Sequence, residues 1–167
     1  MKFKRIQLTL FISEGDSEII ERVRKEFNPV QYELIRSHVT LCREEELEAI
    51  EKVIENLETL HYPSFMIDFG SVQRFSDGKG VMIPANGDNE PFQTLRKLVL
   101  KRVIHNPAKQ EPHITLMHPR NSTCTESNFL KIEKMNLPRV LEFRKISIIQ
   151  QEVNSKWNIL KSYLLNT

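Results

Sequence analysis

Apolar residues recur along this chain at two spacings. Ile6, Leu8, Leu10 and Ile12 alternate with Gln7, Thr9 and Phe11, the period of a strand with one face in a core and one mixed face, which predicts a strand over 5–12. After Gly15, Asp16 or Ser17 is placed to cap a helix whose apolar positions Ile19, Ile20, Val23 and Phe27 follow helical spacing. Asn28-Pro29 is its stop. A strand follows over 37–42. Residues 44–60 carry Leu47, Ile50, Val53, Ile54, Leu57 and Leu60 as one stripe among Glu and Lys residues, predicting a single amphipathic helix with a solvated polar face.

The rest of the chain reads in the same way. Residues 65–75 predict a strand, Asp77-Gly78-Lys79-Gly80 a turn and 81–84 its hairpin partner. Pro91 suits the first turn of a helix running through Phe92, Leu95, Leu98, Val99 and Val103. A strand over 112–117 and a short helix over 125–135 come next, then extended segments over 140–153 and 157–165 around a turn at Asn154-Ser155. No linker rich in Pro, Gly or Ser divides the chain, and 167 residues bury one core rather than two. The expectation is therefore one α+β domain over 1–167, with helices outside antiparallel-rich sheet.

An internal echo refines this. Sliding the chain by 75 residues sets Ile6 on Val81, Leu8 on Ile83, Ile20 on Leu95, Val23 on Leu98, His38 on His113 and Thr40 on Thr115. Two pseudo-symmetric lobes with a shared strand-helix-strand plan follow, with a cleft between them.

Charge and cysteine content narrow the class. A net charge of +2 and a pI near 8.5 suit an anionic ligand without the positive field of a duplex-binding protein. Cys42 and Cys124 fit no CxxC or metal-ligand spacing, which predicts a reduced, cytoplasmic chain. Met1-Lys2-Phe3-Lys4-Arg5 ahead of Ile6 superficially suggests a leader. Gln7 and Thr9 interrupt the apolar run and no small-residue cleavage site follows, so the segment reads as a strand. No apolar stretch approaches the roughly 20 residues that span a bilayer, and no membrane partner is expected.

The chemistry sits in two tetrapeptides, His38-Val39-Thr40-Leu41 and His113-Ile114-Thr115-Leu116. On a strand, residues two apart share a face, so each His and Thr project together while Val39, Leu41, Ile114 and Leu116 turn to the core. Facing each other across one groove, the pairs present two imidazoles and two hydroxyls. One neutral imidazole takes a proton from water while a protonated one gives a proton to a leaving oxygen, and the hydroxyls donate to phosphate oxygens. No metal or cofactor is needed. Any one His is followed by apolar, Ser/Thr, apolar with a chance of roughly 0.02, so two copies at matching places are a specific signal. The alternative is a pair of hydrogen-bonded strand histidines beside ordinary β-favouring threonines.

The doubled motif, with this strand order, resembles the 2H phosphoesterase superfamily, and is most similar to its 2′-5′ RNA ligase and cyclic phosphodiesterase branch. The likeness extends through Leu10-Phe11-Ile12, residues 69–84 and Trp157-Asn158-Ile159-Leu160. It implies a bilobal fold acting on 2′,3′-cyclic phosphates, related nucleotide phosphodiesters or 2′-5′ RNA linkages. It further implies that His38 and His113 are catalytic, His38 as acid and His113 as base, and that Thr40 and Thr115 bind phosphate. A nucleotide or RNA end is the expected partner, turned over or, as the alternative, only held by a non-catalytic binding module using the same cleft, and a self-contained cleft suits a monomer.

Other residues are candidates beside plainer readings. Phe11, on the mixed face of its strand, offers its ring to a base or to the core. Arg74 and Phe75 offer a cation and an aromatic to a nucleotide, or a solvated hairpin end. His118 and Arg120 follow the second motif, and Arg36 and Arg43 flank the first, where a phosphate or solvent would meet them. His118 with His113 and a cysteine has no recognised metal spacing. His61 and His105 read as helix-end residues.

Overall fold

In a computed structural model, which describes residues 4–166, the chain runs through fourteen elements and one single-turn 3-10 helix. They are β1 (Lys4–Phe11), α1 (Glu14–Phe27), α2 (Pro29–Leu34), β2 (His38–Cys42), the 3-10 turn (Glu44–Glu46), α3 (Ile50–Glu58), β3 (Phe65–Asp68), β4 (Gln73–Arg74), β5 (Val81–Pro84), α4 (Glu90–Val99), β6 (His113–Met117), α5 (Glu126–Glu133), β7 (Val140–Phe143), β8 (Lys145–Glu152) and β9 (Asn158–Leu164). Of the basic pentapeptide read as the start of a strand, Lys4 and Arg5 open β1, and Met1 to Phe3 lie outside the described residues. Among the described residues no helix is long and apolar enough to cross a membrane.

Seven strands form one sheet in the order β4-β5-β6-β2-β1-β8-β9, and β3 with β7 forms a separate ribbon. The motif strands are therefore neighbours, paired antiparallel through Val39 and Ile114. The two expected lobes are halves of one sheet, related about that central pair. Both motif strands show the same burial order, half-buried His and Thr alternating with buried Val39, Leu41, Ile114 and Leu116. Both then carry an irregularity at the same place: Thr9 pairs with Thr40 but Leu8 with Cys42, and Met82 pairs with Thr115 but Val81 with Met117. The extra residue turns Cys42 and Met117 into the core and re-aims the chain beyond each motif.

The echo needs correcting outside the motifs. Thr40 maps onto Thr115 by 75, but in the adjoining strands Thr9 maps onto Met82, by 73. Strand faces repeat every two residues, so this displacement leaves the apolar pattern unchanged. The helices correspond by 72. The buried set Ile20, Val23 and Arg24 of α1 falls on Phe92, Leu95 and Arg96 of α4, whereas the 75-residue shift had set Val23 on Leu98, which is 38% exposed. Three residues is close to one helical turn, which hides the error. The helices also cross over, α1 lying against β6 and α4 against β2.

Five predicted elements break or move. The strand expected over 65–75 splits at Gly70, whose N–H donates to the Pro84 carbonyl at 2.7 Å and where a Cβ would require the Asn86 side chain to shift. β3 then joins β7 and β4 joins β5. The helix expected over 44–60 becomes the 3-10 turn and α3, because Glu46 is drawn to the Arg43 N–H at 2.9 Å and to Arg96. The segment 140–153 divides at Arg144 into β7 and β8, which belong to different sheets. Pro29 ends α1 but opens α2 at its first turn, where a missing N–H costs nothing. At the N-terminus of α1 the cap position is Ser13, not Asp16 or Ser17, and its hydroxyl donates to Asp16 at 2.7 Å. α4 stops at Val99, leaving Val103 and His105 beyond it.

Candidate active site

His38, Thr40, His113 and Thr115 line one groove of about 270 Å³. Because Val39 opposes Ile114 in an antiparallel pair, His38 lies opposite Thr115 and Thr40 opposite His113. Each His is thus set across from the Thr of the other motif.

Each ring is fixed by the same device. His38 Nδ1 lies 2.8 Å from the Arg36 carbonyl and His113 Nδ1 lies 3.1 Å from the Glu111 carbonyl, two residues upstream in both cases. A carbonyl only accepts, so each Nδ1 carries hydrogen, and each neutral ring leaves its Nε2 with a lone pair. An aromatic edge completes each seat: Phe11 against His38 at 6.1 Å and 67°, Phe75 against His113 at 5.6 Å and 85°. Gly80 makes the second seat possible, since a Cβ there would lie 2.5 Å from the Phe75 ring and 2.8 Å from Pro119.

Burial holds His38 well below its ordinary value, at about 4, opposed by the Arg36 carbonyl and assisted by the charges of Arg24, His113 and His118. His113 is also lowered, chiefly by burial and further by Arg43. Both imidazoles are therefore neutral in the empty groove at pH 7.

The other predicted residues divide. His118, Arg120 and Phe75 line the groove. His118 Nδ1 accepts from the Arg120 N–H at 3.1 Å, so this ring, when neutral, keeps its proton on Nε2 and is a donor where the two motif rings are acceptors. Burial lowers its pKa, helped by Arg120. Phe11 borders a neighbouring surface pocket with Arg36, whose guanidinium lies 5.0 Å from the ring centroid. Arg74 is spent elsewhere, donating to the Gly78 and Cys124 carbonyls at 3.0 and 2.9 Å and stacking on Phe129 at 4.9 Å. Cys42 is buried behind the first motif, its thiol pushed up to about 12 by burial. Among the described residues no three His, Cys, Asp or Glu side chains converge as metal ligands would.

Sequence reading missed two buried arginines and what they hold. Arg24, 2% exposed, pairs with Glu21 at 2.9 Å and donates to the Ile35 carbonyl at 2.7 Å, while Glu21 accepts the Ser37 N–H at 2.6 Å. Arg96, equally buried, pairs with Glu46 at 2.6 Å and donates to the Leu41 carbonyl. Gln110 joins this second cluster, accepting from Arg96 at 3.0 Å and donating to the Thr40 carbonyl at 2.7 Å. An arginine at an apolar position of each helix stripe was the available signal.

A doubled His-Thr strand pair in one sheet, with both rings anchored through Nδ1, is the candidate site. Residues 13–154 match the 2′-5′ RNA ligase superfamily, and the chain belongs to it, a superfamily of phosphodiester chemistry. The fold is similar to Escherichia coli LigT, solved with 3′-AMP (TM-score 0.67) and with phosphate (0.64), each at 14% identity over 100% of both chains. It is also similar to TT0787 of Thermus thermophilus, with a TM-score of 0.56 at 14% identity over 96% of this chain and 97% of that one. No curated protein sequence matches significantly.

Proposed function

We propose that this protein hydrolyses the 2′,3′-cyclic phosphate of a nucleotide or RNA end to a phosphomonoester, using His38 and His113 and no metal. The observation that carries the reading is the pair of rings anchored through Nδ1, on strands whose register sets each His across from the other motif's Thr, in one groove fit for a phosphate. Water attacks phosphorus and gives its proton to one Nε2. The ring P–O bond breaks, and the departing ribose oxygen takes a proton from the other, protonated Nε2. Thr40 and Thr115 donate to the non-bridging oxygens, where fixed donors stabilise the charge of the transition state.

One proton must reside on the pair. His38 is held lower by burial and by its cationic neighbours, so His113 carries that proton; His113 is the acid on the leaving oxygen and His38 the base on water. This reverses the order implied by resemblance. A phosphodiester with a p-nitrophenyl leaving group, which departs without protonation, tests it. His113→Ala should recover most of its loss on that substrate and His38→Ala should not; recovery in His38→Ala alone would restore the other order.

LigT was solved with 3′-AMP and phosphate, which supports a nucleotide phosphate here. The decisive assay is turnover of 2′,3′-cyclic nucleotides by purified protein with chelator present. Loss of turnover with chelator, or its survival in both histidine variants, would exclude the mechanism. Joining or cleaving 2′-5′ linkages is the second reading, favoured by the family's chemistry, and is scored in the same samples with tRNA halves and 2′-5′ oligonucleotides. The proposed enzyme is cytoplasmic and works as a monomer; sedimentation tests the oligomeric part.

A further inference from the structure

The groove is unlike at its two ends. At the His113 end it continues past Phe75 into an annex lined by Met82, Pro84, Ala85 and Pro112. At the His38 end the wall is cationic. There Arg24 lines the groove although 2% exposed. Its two Nη atoms serve Glu21 and the Ile35 carbonyl, and its buried Nε has no protein partner. Burying a guanidinium with a donor left over is costly unless something accepts from it.

Two further donors gather beside it. The corner between α1 and α2 is tied to the segment after β6: Asn28 accepts the His118 N–H at 2.8 Å and donates to Asn121 at 2.9 Å, and Asn121 donates to Gln31 at 2.9 Å. These bonds hold His118, with hydrogen on Nε2, and Arg120 against the wall that Arg24 and Gln31 form. Arg120 is exposed and its guanidinium has no ion pair among the described residues. Arg5, by contrast, is already spent on Glu44 at 2.8 Å and on the Trp157 ring at 5.2 Å.

We infer that Arg24, His118 and Arg120 form a second anion subsite at the His38 end, which takes a phosphate next to the one being cleaved. The inference rests on the proposed function, since it assigns the reacting phosphate to the two threonines. The physical reason for a second phosphate is donor count. The reacting diester carries one charge and already meets two hydroxyls, whereas this wall adds the guanidinium of Arg120, the partnerless Nε of Arg24, whose charge is shared with Glu21, and an imidazole N–H. A second phosphate accepts from all three, and guanidinium matches its oxygens with charge-assisted bonds. The preferred substrate is thus a 2′,3′-cyclic nucleotide bearing another phosphate, either a 5′-phosphate on the same nucleoside or the 3′-5′ linkage to the preceding one.

Three substrates separate the cases: adenosine 2′,3′-cyclic phosphate, its 5′-phosphorylated form, and a dinucleotide ending in a 2′,3′-cyclic phosphate. For the full chain, kcat/KM of one phosphate-bearing substrate should exceed that of the bare nucleotide by at least about tenfold at low salt, the size of one charge-assisted hydrogen bond. Which of the two gains identifies the source of the phosphate. The ratio should fall toward one in Arg120→Ala, an exposed change that does not threaten folding, or in Arg24→Lys, which keeps charge but loses the Nε donor. Equal kcat/KM for all three substrates in the unaltered protein overturns the subsite alone. So does an advantage that survives in both variants. Turnover of none of the three overturns the proposed function, and the subsite with it.

Discussion

The two motif strands match in sequence pattern and differ in what holds them. β2 and β6 have the same burial order, the same irregularity after the motif and the same Nδ1 anchor. Yet β2 is gripped at both ends by buried ion pairs, Arg24–Glu21 at Ile35 and Ser37 and Arg96–Glu46 at Leu41 and Arg43, with Gln110 on Thr40 between them. The chain leaving β6 is tied instead through a neutral amide, Asn28 on His118. A repeated motif therefore does not produce repeated electrostatics. Although α1 lies against β6, its charged pair ends just ahead of the first motif, where the α4 pair also ends, so His38 has Arg24 and His118 beside it while His113 has Arg43 and the Phe75 ring.

Removing either imidazole tests the symmetric part of the comparison and should have the largest effect. His38→Ala and His113→Ala should each lower kcat on a 2′,3′-cyclic nucleotide by about 10²–10⁴-fold, the usual worth of general acid or base. A loss confined to one of them would mean that the other ring is only structural. Next come the hydroxyls: Thr40→Val and Thr115→Val should each cost about 10²-fold in kcat, as expected for one fixed donor to a developing charge. Steady-state kinetics check both sets.

The asymmetric part is read by stability. Arg96→Met strands Glu46 and two buried acceptors and should cost on the order of 3 kcal/mol. Asn28→Ala, which removes neutral hydrogen bonds, should cost about 1–2 kcal/mol. Denaturant unfolding gives both, and equal losses would erase the distinction between the two supports. The pH profile follows from the lowered imidazoles. Free-enzyme activity needs one ring protonated and one neutral, so the bell in kcat/KM should centre on the acid side of 6.5, with its lower limb near His38's value of about 4. A bell centred above 7 would contradict the electrostatics of the groove. The smallest effect is expected for Gly80→Ala, whose methyl must displace the Phe75 ring. A few-fold fall in kcat/KM is predicted, because one ring contact is worth about 1 kcal/mol, together with some loss of stability, because the methyl also meets Pro119 at 2.8 Å and the Met117 carbonyl at 2.9 Å.

Much of this was legible before any coordinates. The alternation of residues 5–12, the two faces of each H-φ-T-φ strand and the hairpin at 81–84 are local consequences of a two-residue period, and they survive folding unchanged. The placement of Arg74 was not legible. A cation beside an aromatic at a hairpin end looks the same whether it meets a nucleotide or, as here, the Cys124 carbonyl and Phe129. Nor were the breaks at 69–72, 47–49 and Arg144 legible, since each is set by a partner far along the chain: Pro84, Arg96, and the choice between two sheets. Phe11 was read correctly as lying on the mixed face; its contacts with His38 and Arg36 depend on rotamers and neighbours the sequence does not state.

What the sequence by itself determined is which side chains share a face: His with Thr on one side, Val, Leu and Ile on the other, twice over. Backbone geometry fixes that within five residues, with no help from the rest of the chain. Only the tertiary structure decided that the two motifs are hydrogen-bonded neighbours in one sheet, that each His faces the other's Thr, and that two arginines at apolar helix positions support the first motif. Strand register and helix crossing depend on contacts between distant residues, up to the 146 positions that separate Arg5 from Gln151. Shifts of two residues in a strand or three in a helix leave the apolar pattern intact, so the pattern alone cannot choose among them.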